Sequence, residues 1–372
     1  MYGPPPPLPL YRRRLSSGDP AGNPDIWIDV EALVWWSKNQ PLSVPVVTTG
    51  PAAQGSTAGA IGAPGSTSLN QPLNYGAGGG VRFNMGGWFT PDHIWGMEGS
   101  LFTVGRSNAG FGVSDHSGTG AYVINEPVVG APFITQVSAP GLESGAVSVN
   151  STSEFQGGDI NGVFNLLRRD GWTVSLTGGF RYLELHETLS IVANSNLFTS
   201  TTYTDNAGNT LVTAPPGSSV TVVDQFNTRN EFYGGQVGMK FQYMANRWSV
   251  SGVTSLALGD THEVITVNGY TNVYPINGQP VTLAGGNYAT LQTGSYATNR
   301  FAVAPAFQCN VGYQFTPFLR GTLGYSFMFL SNVARPGNQI DNTYDGVVHP
   351  LVPMINTSYW TQGINIGLQI TF

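Results

Sequence analysis

Charge is what this 372-residue chain has least of: 15 Lys and Arg against 21 Asp and Glu, a tenth of its residues. Ordinary soluble domains carry about a quarter. A formal charge of −6 and the lack of a basic cluster beyond Arg12-Arg13-Arg14 disfavour nucleic acid as a partner. No stretch approaches about 18 consecutive apolar residues, so a helical membrane protein is excluded. Cysteine is reduced to Cys309, which leaves no intrachain disulfide and no cysteine-rich zinc site. General disorder is excluded by what is plentiful, 19 Phe, 16 Tyr and 8 Trp. One class combines few charges with many aromatics and hides its apolar residues in alternation, the transmembrane β-barrel.

Residues 1–24 are rich in Pro, Gly and Arg and read as a disordered leader lying outside the barrel. No secretory signal is apparent in them. Residues 25–372 read as one barrel domain. Within it, ten runs of about ten residues alternate apolar with polar, the length and period of a membrane-spanning strand. They are Ile26 to Trp36, Val81 to Thr90, Ile94 to Val104, Phe155 to Leu167, a run from Trp172, Glu231 to Met244, a run from Trp248, Phe301 to Phe315, Leu319 to Phe329, and Ile364 to Phe372. The expected fold is an all-β, antiparallel up-and-down barrel of about ten strands, range 8–12.

Four connections are short (91–93, 168–171, 245–247, 316–318) and five are long (roughly 37–80, 105–154, 191–222, 269–297, 331–358). Tight turns at one rim and long loops at the other are the pattern of outer-membrane barrels, with the turns periplasmic. An even strand number then puts both ends of the barrel on the periplasmic side. The long loops, rich in Gly, Ser, Thr, Asn and Pro, are expected to be mobile and solvent-facing. Trp35, Trp36, Trp88, Trp95, Trp172, Trp248 and Trp360 sit near strand ends and read as an interfacial girdle. The closing strand ends on Phe372, which resembles the assembly signal of bacterial outer-membrane barrels.

The faces opposite the apolar ones carry four acids, Asp29, Glu31, Glu98 and Asp159, and four bases, Arg82, Arg181, Lys240 and Arg320. Inside a barrel, such a balanced set either forms a selective constriction or closes the lumen with ion pairs. Ten strands are only slightly wider than the eight whose side chains nearly fill the interior, so a plugged or very narrow lumen is expected. Several glycines on these strands argue for some open space. The turn at Asp170-Gly171 makes paired residue numbers sum to 341, which sets Asp159 opposite Tyr182. A bulge would bring Asp159 to Arg181, and an ion pair between them is expected in the external half of the lumen.

Catalytic constellations are weak. Glu184, His186 and Glu187, and Asp260, His262 and Glu263, follow the fifth and seventh strands at the external rim. They read as solvated charges, with an outer-membrane hydrolase as the third functional reading and metal binding by His186 and His262 with the nearby Glu as a weaker one. His93, His116 and His349 lie in turns or loops. Gly76-Ala77-Gly78-Gly79-Gly80 lacks the following Lys and helix of a phosphate loop. No cofactor, no metal and no enzyme activity is expected.

Several blocks together resemble a planctomycete family, putative beta-barrel porin-7. They are Asp29 to Lys38 with Val46-Val47-Thr48-Thr49-Gly50, Gly179 to Leu183, Phe232 to Gln236, and Ala334-Arg335-Pro336-Gly337-Asn338-Gln339-Ile340-Asp341. The resemblance runs from about Asp25 to Phe372. It implies a barrel of the bacterial outer membrane whose solute is unassigned, and it supplies no catalytic residue. Outer-membrane lipid and the outer-membrane assembly machinery are then the expected partners. The leading reading is porin-like, either narrow passive diffusion or a closed barrel. The alternative is a structural or adhesive surface barrel displaying its loops.

Overall fold

The computed structural model describes residues 26–116, 118–130, 135–204, 209–290, 293–347 and 349–372. The leader call on residues 1–24 lies outside them. Ten strands form the wall: β1 Ile26–Ser37, β2 Ala77–Trp88, β3 Trp95–Asp115, β4 Glu143–Arg169, β5 Trp172–Leu197, β6 Ser219–Ala245, β7 Trp248–Tyr274, β8 Gly294–Thr316, β9 Leu319–Ala334 and β10 Asn356–Thr371. Each pairs antiparallel with its neighbours in sequence, and β1 pairs with β10 to close the ring. Closure satisfies every strand edge, which lipid cannot do. Asp170 and Gly171 both take positive φ (52° and 80°), as the two-residue hairpin requires. Ile26 and Phe372 exchange backbone hydrogen bonds of 2.9 and 3.4 Å at the seam, so both barrel termini lie at the short-turn rim.

The outward face of the turn-proximal half is apolar all round, from Val30 and Val81 through Phe180 and Val237 to Leu323 and Ile366, all exposed. On β5 this band runs from Trp172 to Tyr182. Ten steps of about 3.3 Å, tilted about 40°, rise about 25 Å, the height of a lipid-facing band. Aromatics edge it at the turn end, where Trp172 meets Tyr243 (4.5 Å), Trp95 meets Phe164 (4.6 Å) and Trp248 meets Tyr313 (5.0 Å). Trp35 and Trp88 do not join them. Trp35 is buried inside against Phe102, and Trp88 turns into the lumen mouth to stack on His93. Both sit at even offsets from lumen residues of their own strands, so alternation sends them inward.

Beyond this band the wall continues and its polarity inverts. On β5, Leu183, Leu185, Leu189 and Ile191 point inward and are buried, while Glu184, His186, Thr188 and Ser190 face out. The long connections are correspondingly shorter than the sequence reading drew them. Much of 105–154, 191–222 and 269–297 is strand. The remaining loops are not purely solvent-facing. Leu42, Val46, Val47, Leu73, Ile124, Tyr288 and Ile340 fold into the barrel top and pack on Val149, Ile191 and Ile265 of the wall.

Candidate functional site: the barrel lumen

From the short-turn rim inward, the lumen begins as a polar chamber of about 500 Å³. His93, Asn246, Arg247 and Pro317 line its mouth, and Ser249, Ser251, Gln242 and Gln369 its sides. All eight charges singled out in the sequence lie on inward faces. Six of them form three ion pairs. Arg82 Nη1 meets Glu31 Oε2 at 3.0 Å, Arg181 Nη2 meets Asp159 Oδ2 at 3.3 Å, and Lys240 pairs with Glu98. The first pair is buried on both sides and extended by neutral partners. Arg82 also donates to Gln308 Oε1 (2.9 Å) and Ser326 Oγ (3.2 Å), and its guanidinium lies 5.1 Å from the Trp35 ring. Asn161 donates to Asp159 Oδ1 at 2.7 Å. The remaining two, Asp29 and Arg320, take amide partners, Asn84 and Gln369.

The expected register is off by one. Arg169 faces Trp172, but a bulge at Leu166 shifts the ladder so that Asp159 sits directly opposite Arg181. Both Leu166 and Leu167 point outward, where lipid accepts them.

Above the charged layer the lumen is filled. Leu33, Trp35, Phe102, Phe155, Leu183, Phe232, Ala257, Ala304, Leu330 and Tyr359 belong to one buried apolar cluster drawn from nine of the ten strands. The missing strand, β2, passes this level as Gly78 and Gly80, opposite Trp35 and Leu33. Phe155 of β4 and Tyr359 of β10 stand 5.2 Å apart, although these strands are not neighbours, so their rings meet across the interior. Still higher, Arg335 reaches in from the loop after β9 and forks onto Glu187 with bonds of 2.8 and 2.6 Å. Both side chains are fully buried, and Arg335 also donates to Asn39 O at 2.7 Å. The loop-filled core follows.

A second buried polar centre ties that core together. Asp224 of β6 accepts the backbone N–H groups of Asn287 (3.1 Å), Tyr288 (2.9 Å) and Ala289 (2.7 Å), while Asn287 donates from its side chain to Glu126. Burial raises the Asp224 carboxyl to about 6, against the lowering effect of those three donors. Burial and the neighbouring Asp224 push Glu126 well above the usual carboxylate range.

The external-rim candidates divide. Glu184, His186, Asp260 and His262 face outward, whereas Glu187 and Glu263 are buried inside. His262 Nδ1 contacts Asn299 Oδ1 at 2.7 Å, and Glu184 is bonded by Gln156, Tyr182 and Arg229. Among the described residues no group of three His, Cys, Asp or Glu is placed to hold a metal ion. The sequence reading missed Arg335 as a centre of the structure. Its signal was a lone arginine in an otherwise uncharged stretch of one family block, Asn332 to Ile340.

A closed antiparallel ring with a lipid-facing apolar band defines a β-barrel of the outer-membrane type. The chain belongs to the family described as Putative beta barrel porin-7, which it matches over residues 27–372. No curated protein sequence matches it. Among solved structures it is similar to the outer membrane protease OmpT from Escherichia coli, at 12% identity over 94% of this chain and 97% of that one, with a TM-score of 0.44. The transport unit of the autotransporter AIDA-I from Escherichia coli gives 7%, 98%, 94% and 0.25, and the P. putida toluene transporter TodX 9%, 95%, 93% and 0.24.

Proposed function

We propose that the protein is a closed, non-conducting barrel of the bacterial outer membrane that carries a folded head on the side of its long loops. The observation that supports this is the apolar layer across the lumen, in which rings from β4 and β10 touch. An apolar constriction excludes water and with it hydrated solutes. A packed core also resists displacement. In this reading the membrane half anchors and the head, with its loops, is the working surface, with no catalytic role. Assembly by the outer-membrane machinery and contact with its lipid complete the picture. Single-channel recording in planar bilayers is the test: the purified barrel is expected to pass no current, and a steady unitary conductance would overturn the reading. Orientation has its own check. Protease added to intact cells should cut the 116–142 loop and spare Asp170.

The second reading is narrow passive diffusion, favoured by the polar chamber and its family. It requires both apolar layers to move, and the same recording separates the two.

A further inference from the structure

The chamber at the short-turn end is blind, and its charges are unevenly answered. Deep in it, Arg82, Arg181 and Lys240 are each neutralised by a carboxylate. At the mouth, Arg247 and Arg320 form no ion pair among the described residues, and the carboxylate that acts on Arg320 is Asp29, across Gln369. Both neighbour Gln314, Arg247 through the main chain and Arg320 through the side chain. Gln314 donates its backbone N–H to Arg247 O at 2.8 Å, and its Oε1 accepts from Arg320 Nε at 2.9 Å. Among the described residues the lumen acid outside an ion pair is Asp29, which stands in the same row as Arg320 with Gln369 between them, and Asn84 donates to it. Against the single carboxylate of Asp29, two guanidinium groups on the rim of the cleft leave a surplus of positive charge there, which the narrow cleft focuses. Below them Ser249, Ser251 and Gln242 line the wall and make no side-chain hydrogen bond among the described residues. A volume of about 500 Å³ suits a small molecule.

We propose that this chamber binds a small hydroxylated anion of the sugar-phosphate class, entering from the short-turn side. Arg247 and Arg320 hold its anionic group with charge-assisted, forked hydrogen bonds. The serine and glutamine wall takes its hydroxyls. The site stands apart from the question of conduction, because it needs only the mouth and the chamber.

Isothermal titration calorimetry on the full chain in detergent, at low salt, tests it with glucose 6-phosphate, glucose and inorganic phosphate as probes. Saturable one-to-one binding of glucose 6-phosphate is expected, tighter than phosphate, with none for glucose. The double variant R247Q/R320Q should weaken it at least tenfold, and the outward-facing Arg106→Gln should leave it unchanged. If the double variant unfolds, Arg247→Gln alone serves, since Arg247 is exposed and its side chain makes no bond among the described residues. Absence of saturable binding, or equal binding by the variant, would overturn the site. Phosphate binding as tightly as glucose 6-phosphate would overturn the part given to the hydroxyl wall. Conductance measured alongside reads the closed-barrel proposal independently.

Discussion

Asp159 and Arg181 face each other across one rung of β4 and β5 in a confined lumen, with side chains 18% and 7% exposed. Arg181→Ala leaves the carboxylate with Asn161 alone and should destabilise the barrel by about 2 kcal/mol, more than an exposed pair of about 0–1 kcal/mol. Conductance should stay at zero, because the apolar layer lies above this pair. A charge-selective current in the variant would show that the pair itself was the barrier. Glu126 and Asp224 behave in the opposite sense, since burial raises both carboxyls in the folded state. The folded chain then binds more protons than the unfolded one once pH exceeds the unfolded values of about 4. Stability is therefore highest below about pH 4 as far as these groups act. It falls as pH rises to about 6 for Asp224 and beyond that for Glu126. Glu126→Gln keeps an acceptor for Asn287 and removes the buried charge. It should raise the melting temperature at pH 8 by a few degrees and flatten its slope between pH 5 and 8. A lower melting temperature at pH 8 would show that the ionised form is the native one.

At the level of strands, the turn-proximal halves were legible because apolar-out, polar-in alternation has a fixed meaning next to lipid. Their inward charges were legible by the same rule. The distal halves alternate just as strictly, as Leu183 to Ile191 shows, but with apolar residues inward. Their outward Glu, His, Thr and Ser gave them the composition of a loop, and the change of phase at Tyr182 hid the continuation. The bulge at Leu166 was visible only as an Arg181 one residue out of register. Leu166-Leu167, two apolar residues in succession, marks the place where two side chains must share the lipid face. The buried Arg335 was beyond pattern reading, since its partner Glu187 is 148 residues away on another element. The closing strand carries a separate expectation. Phe372 is exposed at the seam, its backbone paired with Ile26 and its ring facing lipid. Removing it costs little packing, so purified protein lacking Phe372 should refold in detergent as well as the full chain. If the residue is an assembly signal, its loss should cut the amount inserted in cells several-fold. Equal insertion would reduce it to an ordinary lipid contact.

As a whole, the molecule is two proteins joined along continuous strands: a membrane barrel with a polar interior below, and a water-exposed barrel with an apolar interior above. The inversion has a physical cause. Each face must match its outside solvent, and where lipid gives way to water the apolar residues have only the interior left to fill. The interior is consequently filled at two levels, by the ring-filled layer of Trp35, Phe102 and Phe155 and by the loop-filled core of Val46, Ile191 and Ile265, with Arg335–Glu187 between them. Two seals in series make a distinct prediction. The double variant W35A/F155A should lose about 3–5 kcal/mol for each ring and still pass no current, because the upper core remains. Arg335→Ala strands Glu187 without its partner, at a cost of about 3–5 kcal/mol, and frees the strap that Arg335 ties to Asn39. The single variant should also stay closed, held by the lower layer. Combined with W35A/F155A it should give brief openings in planar bilayers, seen as flicker rather than a steady level. Steady current from W35A/F155A alone would mean that the lower layer is the whole seal and that the head above it leaves a path for water.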